Sequence, residues 1–358
     1  MRPRKAVVCH MSKQTRWIVN PEVGFVSILA SYGRFLESDY RMAIEGMRVP
    51  EAFEEYTEET HRRFVIVGAK SVPGATAKSV FLCLKLAGAS SIVIKAPTMD
   101  EYFLILNVVE EHASDPSRVR VFHNSSDELK LDSEWRDAVE NATDIVVFGG
   151  QETVDAFLEL EQDDRRVHIH GPKFSFGVVR AWDLTPRNIK EICLDFYTFY
   201  GEGCLSPKFY FIIGEVSEAM FQEIGNTMKA YFGSTIDEFR GKLPLTRKSE
   251  LAQQFVSARY RAKYVREEML KSDKIFTTLY GDARFVVVDD VQDVEKFINK
   301  WCASISTVAI NTEDDEIMEI LEDNLVVRIC DFGYMQSPNF FEQFDVIDDF
   351  DIYVGGEE

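Results

Sequence analysis

The sequence predicts an α/β protein of two domains, each built around a mainly parallel sheet. Three observations carry this. The chain has 358 residues, more than one hydrophobic core usually serves, and its 46% hydrophobic content is enough to build two. Between residues 64 and 171, short β-branched runs alternate with amphipathic stretches, and the alternation resumes from about 172 to 330. Unbroken apolar runs separated by helical ones mark parallel strands covered on both faces.

Taken in order, the first 60 residues read as helices and a hairpin leading into the first domain. Strand "FVIVGA" is followed by helix "ATAKSVFLCLKLAGA", strand "SIVIKAP", helix "MDEYFLILNVVEEHA", strand "VRVFHNS" and helical "SDELKLDSEWRDAVEN". Strand "DIVVFGG", helix "QETVDAFLEL" and strand "RVHIHG" complete a doubly wound, nucleotide-type unit. In such sheets ligands bind beyond the carboxyl ends of the strands, here Gly68 to Gly74, Lys95 to Thr98, and Gly149 to Gly150. The second unit opens with "SFGVVRAWDL" and launches a helix at Thr185 and Pro186, suited to N-cap and first-turn positions. Cys204 and strand "KFYFIIGE" follow, then helices near 217–232 and 248–271. Strands "KIFTTLY" and "RFVVVDD" alternate with helical "VEKFINKW" and "DDEIMEIL". The expected boundaries are 1–171 for the amino-terminal region and nucleotide-binding domain, 172–332 for the domain carrying Cys204, and 333–358 for an acidic, Phe-rich tail. That tail is expected to add an edge strand to a partner subunit or to stay partly mobile.

The net charge is −20, from 60 acidic and 40 basic side chains. Such a surface repels nucleic acid and anionic membranes, so an anionic ligand needs a local basic pocket. No run approaches the ~18 apolar residues of a membrane span, and "MRPRK" is not followed by a signal-type apolar core. A cytoplasmic location is expected. The six cysteines lie far apart, with no close CxxC pair, which fits reduced thiols. His168 and His170 share one face of a strand, but with no third ligand in register they read as structural, and no metal is expected.

The chain then presents, in order, "VIVGAKSVPGATAKSVFLCLKLAGASSIVIKAP", "IVVFGGQETV", "HIHGPKFSFGVV" and "GEGCLSPK", with no GxGxxG after the first strand. This order and spacing resemble the aldehyde dehydrogenase superfamily. The second and third segments, and the closing "VVRICDFGYMQSP", are similar to its fatty acyl-CoA reductase branch, the reductases of bacterial bioluminescence operons. The resemblance covers roughly residues 60 to 340.

The resemblance implies an aldehyde dehydrogenase-like fold with Cys204 as nucleophile. A thiolate attacks an acyl thioester readily, and the resulting enzyme thioester accepts hydride. Read from its residue type alone, Cys204 fits a small side chain packed under its loop. The position of the family's oxyanion-stabilising Asn is taken here by Ser71, whose shorter hydroxyl donates one hydrogen bond; loss of one such donor costs ~100- to 1,000-fold in rate. Ser71 also suits capping of the helix that begins near Ala75. Where hydrolytic members place a water-activating Glu, "HIHGPK" has Ile169, which favours acyl exchange with a thiol over hydrolysis.

For the cofactor, Lys95 matches the family's ribose-contacting lysine, and Thr98 stands where NAD-preferring members often have Glu. That pairing tolerates a 2′-phosphate, so NADPH is expected. Gly149, Gly150 and Thr153 match the turn and helix start beside the pyrophosphate, and Gly171 closes the next strand. Phe196, Tyr197, Phe199 and Tyr200 precede the nucleophile and read as core more than as an acyl channel.

The expected activity is reduction of a fatty acyl thioester, from acyl-CoA or an acyl-protein, to an aldehyde with NADPH through Cys204. The alternatives are an acylating aldehyde dehydrogenase for short chains, and a weakened or inactive relative that binds nucleotide, acyl ligand or a partner. Ser71, and Ala89 where the family usually has Asn, favour the last. An acyl-activating partner protein and a homo-oligomer are also expected.

Overall fold

Residues that alternate between the two faces of a parallel strand must find apolar cover on both, and β3 (Arg63–Val67) shows how this chain supplies it. Phe64 and Ile66 point into one buried cluster, Val65 and Val67 into another. The computed structural model describes residues 7–10, 16–19, 61–68, 74–85, 87–124, 126–162, 164–197, 204–227, 230, 261–264, 282–336 and 352–353. At the amino end, β1 (Val7–His10) and β2 (Arg16–Val19) form an antiparallel hairpin.

The first sheet joins β3 to β4 (Ser91–Lys95), β5 (Val119–Phe122), β6 (Asp144–Phe148) and β7 (Arg166–His170), in the order β5-β4-β3-β6-β7, all parallel. Helices α1 (Ala75–Lys85) and α2 (Met99–His112) cover one face. Helices α3 (Ser126–Leu131), α4 (Ser133–Glu140) and α5 (Gln151–Leu158) cover the other, with Leu129, Trp135 and Phe157 in the cluster there. The strand order reverses between β3 and β6, the crevice where ligands of doubly wound sheets bind.

The second sheet, of the six strands given next, is again all parallel, and its order along the sheet runs from the strand at Arg261–Tyr264 through those at Asp282–Val288, Pro207–Ile213, Phe174–Arg180 and Ile305–Ile310 to that at Arg328–Asp331. Its strands are β8 (Phe174–Arg180), β9 (Pro207–Ile213), β10 (Arg261–Tyr264), β11 (Asp282–Val288), β12 (Ile305–Ile310) and β13 (Arg328–Asp331). Helix α6 (Pro186–Tyr197) and helix α7 (218–227) pack on one face through Ile189, Ile192, Phe196 and Ile224. Helices α8 (Val291–Trp301) and α9 (Asp315–Asp323) cover the other face. The cluster under α1, α2 and α6 is continuous, running from Phe64 and Val146 of the first sheet to Tyr210 and Phe285 of the second. The region between the sheets is therefore one core.

Four local outcomes differ from the sequence reading. The helical stretch 126–141 is two helices, because the Asp132 side chain accepts the Trp135 N–H at 3.0 Å and starts α4 afresh. Within the stretch 248–271, expected as a helix, Arg261–Tyr264 form β10, an edge strand paired with β11, where sheet pairing overrides local propensity; the rest of that stretch lies outside the described residues. Strand β12 went unread because Ser306 and Thr307 interrupt its apolar run, yet both are buried. In the tail, Ile352 and Tyr353 are helical and buried in the chain's own core, Tyr353 against Phe64 with ring centroids 5.9 Å apart. The rest of the tail past Gln336, and "KIFTTLY", lie outside the described residues. None of the described helices is long and apolar enough to cross a membrane.

Candidate active site

Cys204 opens a turn that runs directly into β9 at the amino edge of the second sheet. It is half-buried, whereas Cys83, Cys193 and Cys330 are buried and Cys302 is exposed. Burial pushes the Cys193 thiol up to about 12, and that of Cys83 well above its ordinary value. Of these five thiols, Cys204 alone combines shelter with access.

Its turn is held from two sides. Ser175 Oγ donates to the Cys204 carbonyl at 2.7 Å and accepts the Thr307 N–H at 3.1 Å. This is possible because the ladder slips at the same place: β8 shifts register between Ser175 and Gly177, and β12 between Ile305 and Val308. Irregularities of this kind commonly sit beside functional sites, where they re-aim a side chain. On the other side, Gln336 Nε2 donates to the buried Ser206 hydroxyl.

Gln336 is placed by a buried carboxylate. Asp195 of α6 accepts from the Tyr210 hydroxyl at 2.6 Å, the Gly333 N–H at 2.8 Å and the Met335 N–H at 3.0 Å. Arg328 closes the same turn by donating to the Tyr334 and Met335 carbonyls, both at 2.9 Å. Gly333 has φ +86°, a conformation L side chains rarely adopt, so the turn requires glycine. Burial raises the Asp195 carboxyl to about 7, against the lowering pull of its three donors and Arg328. Ser175, Ser206, Asp195 and Gln336 were missed by the sequence reading. Ser175, Ser206 and Gln336 lie inside the quoted "HIHGPKFSFGVV", "GEGCLSPK" and "DFGYMQSP", while Asp195 left no signal.

The residues expected at the cofactor all lie at the carboxyl edge of the first sheet. Lys95 ends β4, Gly149 and Gly150 follow β6, Thr153 lies in the first turn of α5, and Gly171 follows β7. Adjacent strands lie about 4.8 Å apart, so Lys95 and Gly149 are separated by roughly 10 Å across β3. Two glycines there behave differently. A Cβ on Gly149 would fall 2.8 Å from Thr153 Cβ, so close packing requires glycine at 149. A Cβ on Gly150 would meet nothing within 4 Å, and no side chain caps α5. An open glycine at an uncapped helix start fits approach of an anionic pyrophosphate. Burial holds the Lys95 ammonium below lysine's usual range.

Thr98 caps α2, its hydroxyl accepting the Glu101 N–H at 3.3 Å. Glu101 itself is buried, and its carboxylate accepts the Gly74 N–H at 2.5 Å, joining the segment after β3 to the end of β4. The sequence reading did not single out this acid. Ser71 lies outside the described residues. Ile169 packs in the apolar cluster of the first sheet, with no carboxylate at that position.

His168 Nε2 lies 3.1 Å from Asp144, and His170 stacks on Phe148 with centroids 4.3 Å apart. Among the described residues no cluster of side chains has the makeup of a metal site. Phe196 packs on Tyr210 and Phe285 at 5.4 and 5.8 Å as a core residue. Tyr197's side chain, Phe199 and Tyr200 lie outside the described residues.

Comparison with solved structures places this arrangement in a known fold. Aldehyde dehydrogenase C of Pseudomonas syringae, a mutant solved with NAD+ and octanal, aligns with TM-score 0.61 and 12% identity over 92% of this chain and 79% of that one. AldH of Staphylococcus aureus aligns with TM-score 0.59 and 12% identity over the same shares. Propionaldehyde dehydrogenase of Rhodopseudomonas palustris, solved with CoA and an acylated cysteine, gives 0.55 and 12% over 92% and 89%. No curated protein matches in sequence. The family described as Acyl-CoA reductase (LuxC) matches residues 115–349, a span that holds Cys204, Gly149, Gly150 and the Gln336 turn. By that match, over more than half its length, the chain belongs to the LuxC acyl-CoA reductase family, oxidoreductases acting on acyl and aldehyde groups.

Proposed function

We propose that this protein reduces an acyl-CoA or acyl-protein thioester to an aldehyde with NADPH, through an acyl group carried on Cys204. The observation that supports it most is the Cys204 turn: a half-buried thiol held by Ser175 and Gln336, inside the span matched by the acyl-CoA reductase family. A pinned nucleophile meets the thioester carbonyl in one orientation, which is where intramolecular reactions gain their rate. Lys95, Gly150 and the start of α5 would hold the dinucleotide. When bound, it supplies the hydride. Ile169 leaves that position without a base to activate water, so the acyl group waits for hydride rather than being hydrolysed.

Lys95 and Thr98 favour NADPH, since neither repels a 2′-phosphate. The buried Glu101 favours NADH as a second reading, because a carboxylate at this corner would oppose that phosphate. The ratio of kcat/KM for the two cofactors separates them. The activity itself is tested by following NADPH absorbance with a panel of acyl-CoAs, with Cys204→Ala alongside. The expected result is one aldehyde formed per NADPH consumed, and none with Cys204→Ala. Unchanged consumption by Cys204→Ala would sink the covalent route. Homo-oligomerisation and docking of an acyl-activating protein belong to the same reading, and truncation before Gly333 tests whether the tail serves either.

A further inference from the structure

Four residues beyond Cys204, on the far side of its turn, stands Lys208, the second residue of β9. Strand alternation puts Lys208 on the face of β9 shared by Tyr210 and Ile212, and that face lies in the core between the two sheets. Phe209, Phe211 and Ile213 take the opposite face. Lys208 is half-buried, and the groups that act on it include the Cys204 thiol, whose negative form favours its charge, and Arg284, which opposes it. Arg284 is buried at the same end of the neighbouring strand β11, one residue before the Tyr210–Phe285 pair. A chain with net charge −20 thus places two sheltered cations at the edge that holds its candidate nucleophile.

We propose that Lys208 is a second catalytic residue: its ammonium accompanies the Cys204 thiolate and then protonates the sulfur that leaves when Cys204 takes the acyl group. The inference rests on the reading of Cys204 as an acyl acceptor. As the bond from Cys204 Sγ to the acyl carbon forms, the thioester C–S bond breaks and its electron pair departs on the donor sulfur. Transfer of one proton from Lys208 releases the donor as a neutral thiol, and the neutral amine regains a proton from water. Hydride added to the acyl carbon then gives a thiohemiacetal oxyanion, whose collapse to aldehyde returns the Cys204 thiolate with no further proton. One hydride and one proton are consumed per thioester, which balances the reaction. Burial pushes Lys208 down to about 8, so it gives up and recovers a proton near neutral pH.

The test uses the full chain as wild type, Lys208→Met and Lys208→Arg, each first checked for an unchanged melting transition. Iodoacetamide labelling, resolved peptide by peptide between pH 6 and 9, reads the thiolate at Cys204, with the exposed Cys302 as internal control. Release of free CoA from an acyl-CoA without reductant reads the proton transfer. Lys208→Met is expected to slow Cys204 labelling about tenfold at pH 7, the effect of roughly one pKa unit, and to leave Cys302 unchanged. Lys208→Arg is expected to restore labelling but not CoA release, because guanidinium keeps its proton. Wild-type labelling and CoA release in Lys208→Met would overturn the proposal. If wild type itself releases no CoA from any acyl-CoA, the acyl-transfer reading fails, and proton donation with it. The two failures are told apart by which protein is silent.

Discussion

Among the described residues two buried aspartates tie distant segments together, Asp144 in the first sheet and Asp195 on the helix α6 that packs on the second, and the two are held in opposite ways. Asp144, at the start of β6, is met by Arg62 at 2.7 and 3.0 Å, by Arg166 at 3.2 Å, by the Thr143 hydroxyl at 2.8 Å and by His168 at 3.1 Å. Burial works to raise its carboxyl, but His168, Arg62 and Thr143 together hold it well below the ordinary range. Arg62 also donates to the carbonyls of Ile352 and Tyr353 at 2.6 and 2.9 Å, locking that part of the tail onto the first sheet. Asp195 has a hydroxyl and two backbone N–H groups as its direct donors, and there burial wins. At Asp144 the hydrogen bonds of His168, Arg62 and Thr143 outweigh desolvation; at Asp195 those of Tyr210, Gly333 and Met335, with the Arg328 charge, do not. The first arrangement suits an anchor. The second lies in the clasp around Cys204, where burial pushes the carboxyl up to about 7.

The largest test of this contrast is Asp144→Asn, which removes the negative charge that Asp144 presents to Arg62 and Arg166. A loss of about 3–5 kcal/mol is expected, measured from urea unfolding, because breaking one side of a buried pair strands the other. A loss below about 1 kcal/mol would mean that solvent screens the cluster.

Next in size is the pH response. Asp144, with its carboxyl depressed in the folded state, contributes stability that is present above the unfolded carboxylate range of about 4 and lost as pH falls. Asp195 has the opposite sign. Its folded value of about 7 exceeds the unfolded one, so its contribution is full below about pH 4 and disappears as pH rises through 7. Between pH 6 and 8 the wild type should lose on the order of 1 kcal/mol through this group alone. Asp195→Asn should remove that slope, read as the difference in urea midpoints at the two pH values. Parallel slopes in wild type and variant would show that Asp195 does not titrate there.

The smallest expected effect on folding is at the carboxyl edge of the first sheet. Gly150 has φ −75° and ψ 174°, which alanine adopts freely, and open space where its Cβ would stand. Gly150→Ala should change stability by less than about 0.5 kcal/mol while weakening dinucleotide binding, measured by fluorescence titration. Equal binding by wild type and variant would place the pyrophosphate elsewhere.

Much of the fold was legible because its signals are local. Apolar runs such as "FVIVGA" and "DIVVFGG" must be strands buried on both faces, and "MDEYFLILNVVEEHA" must turn one face inward. Strand β12 was not legible, because Ser306 and Thr307 look like surface residues until neighbouring strands bury them. Nor was β10, whose four residues become a strand only through pairing with β11. Cys204 was singled out by motif order. Its supports, Ser175, Asp195 and Gln336, are polar residues at separations of 29, 9 and 132 positions from it, and spacing of that kind carries no pattern.

By itself the sequence determined the parallel α/β class and the glycine turn after β6, and it singled out Cys204 as a candidate, since each follows from side-chain chemistry acting within a few residues. Only the tertiary structure decided which buried carboxyl is held down and which is pushed up, which serine holds the Cys204 turn, and that Glu101 is buried beside the expected cofactor residues. Burial and hydrogen bonding are properties of neighbours in space, and the chain brings those neighbours together only when both sheets have closed on their common core.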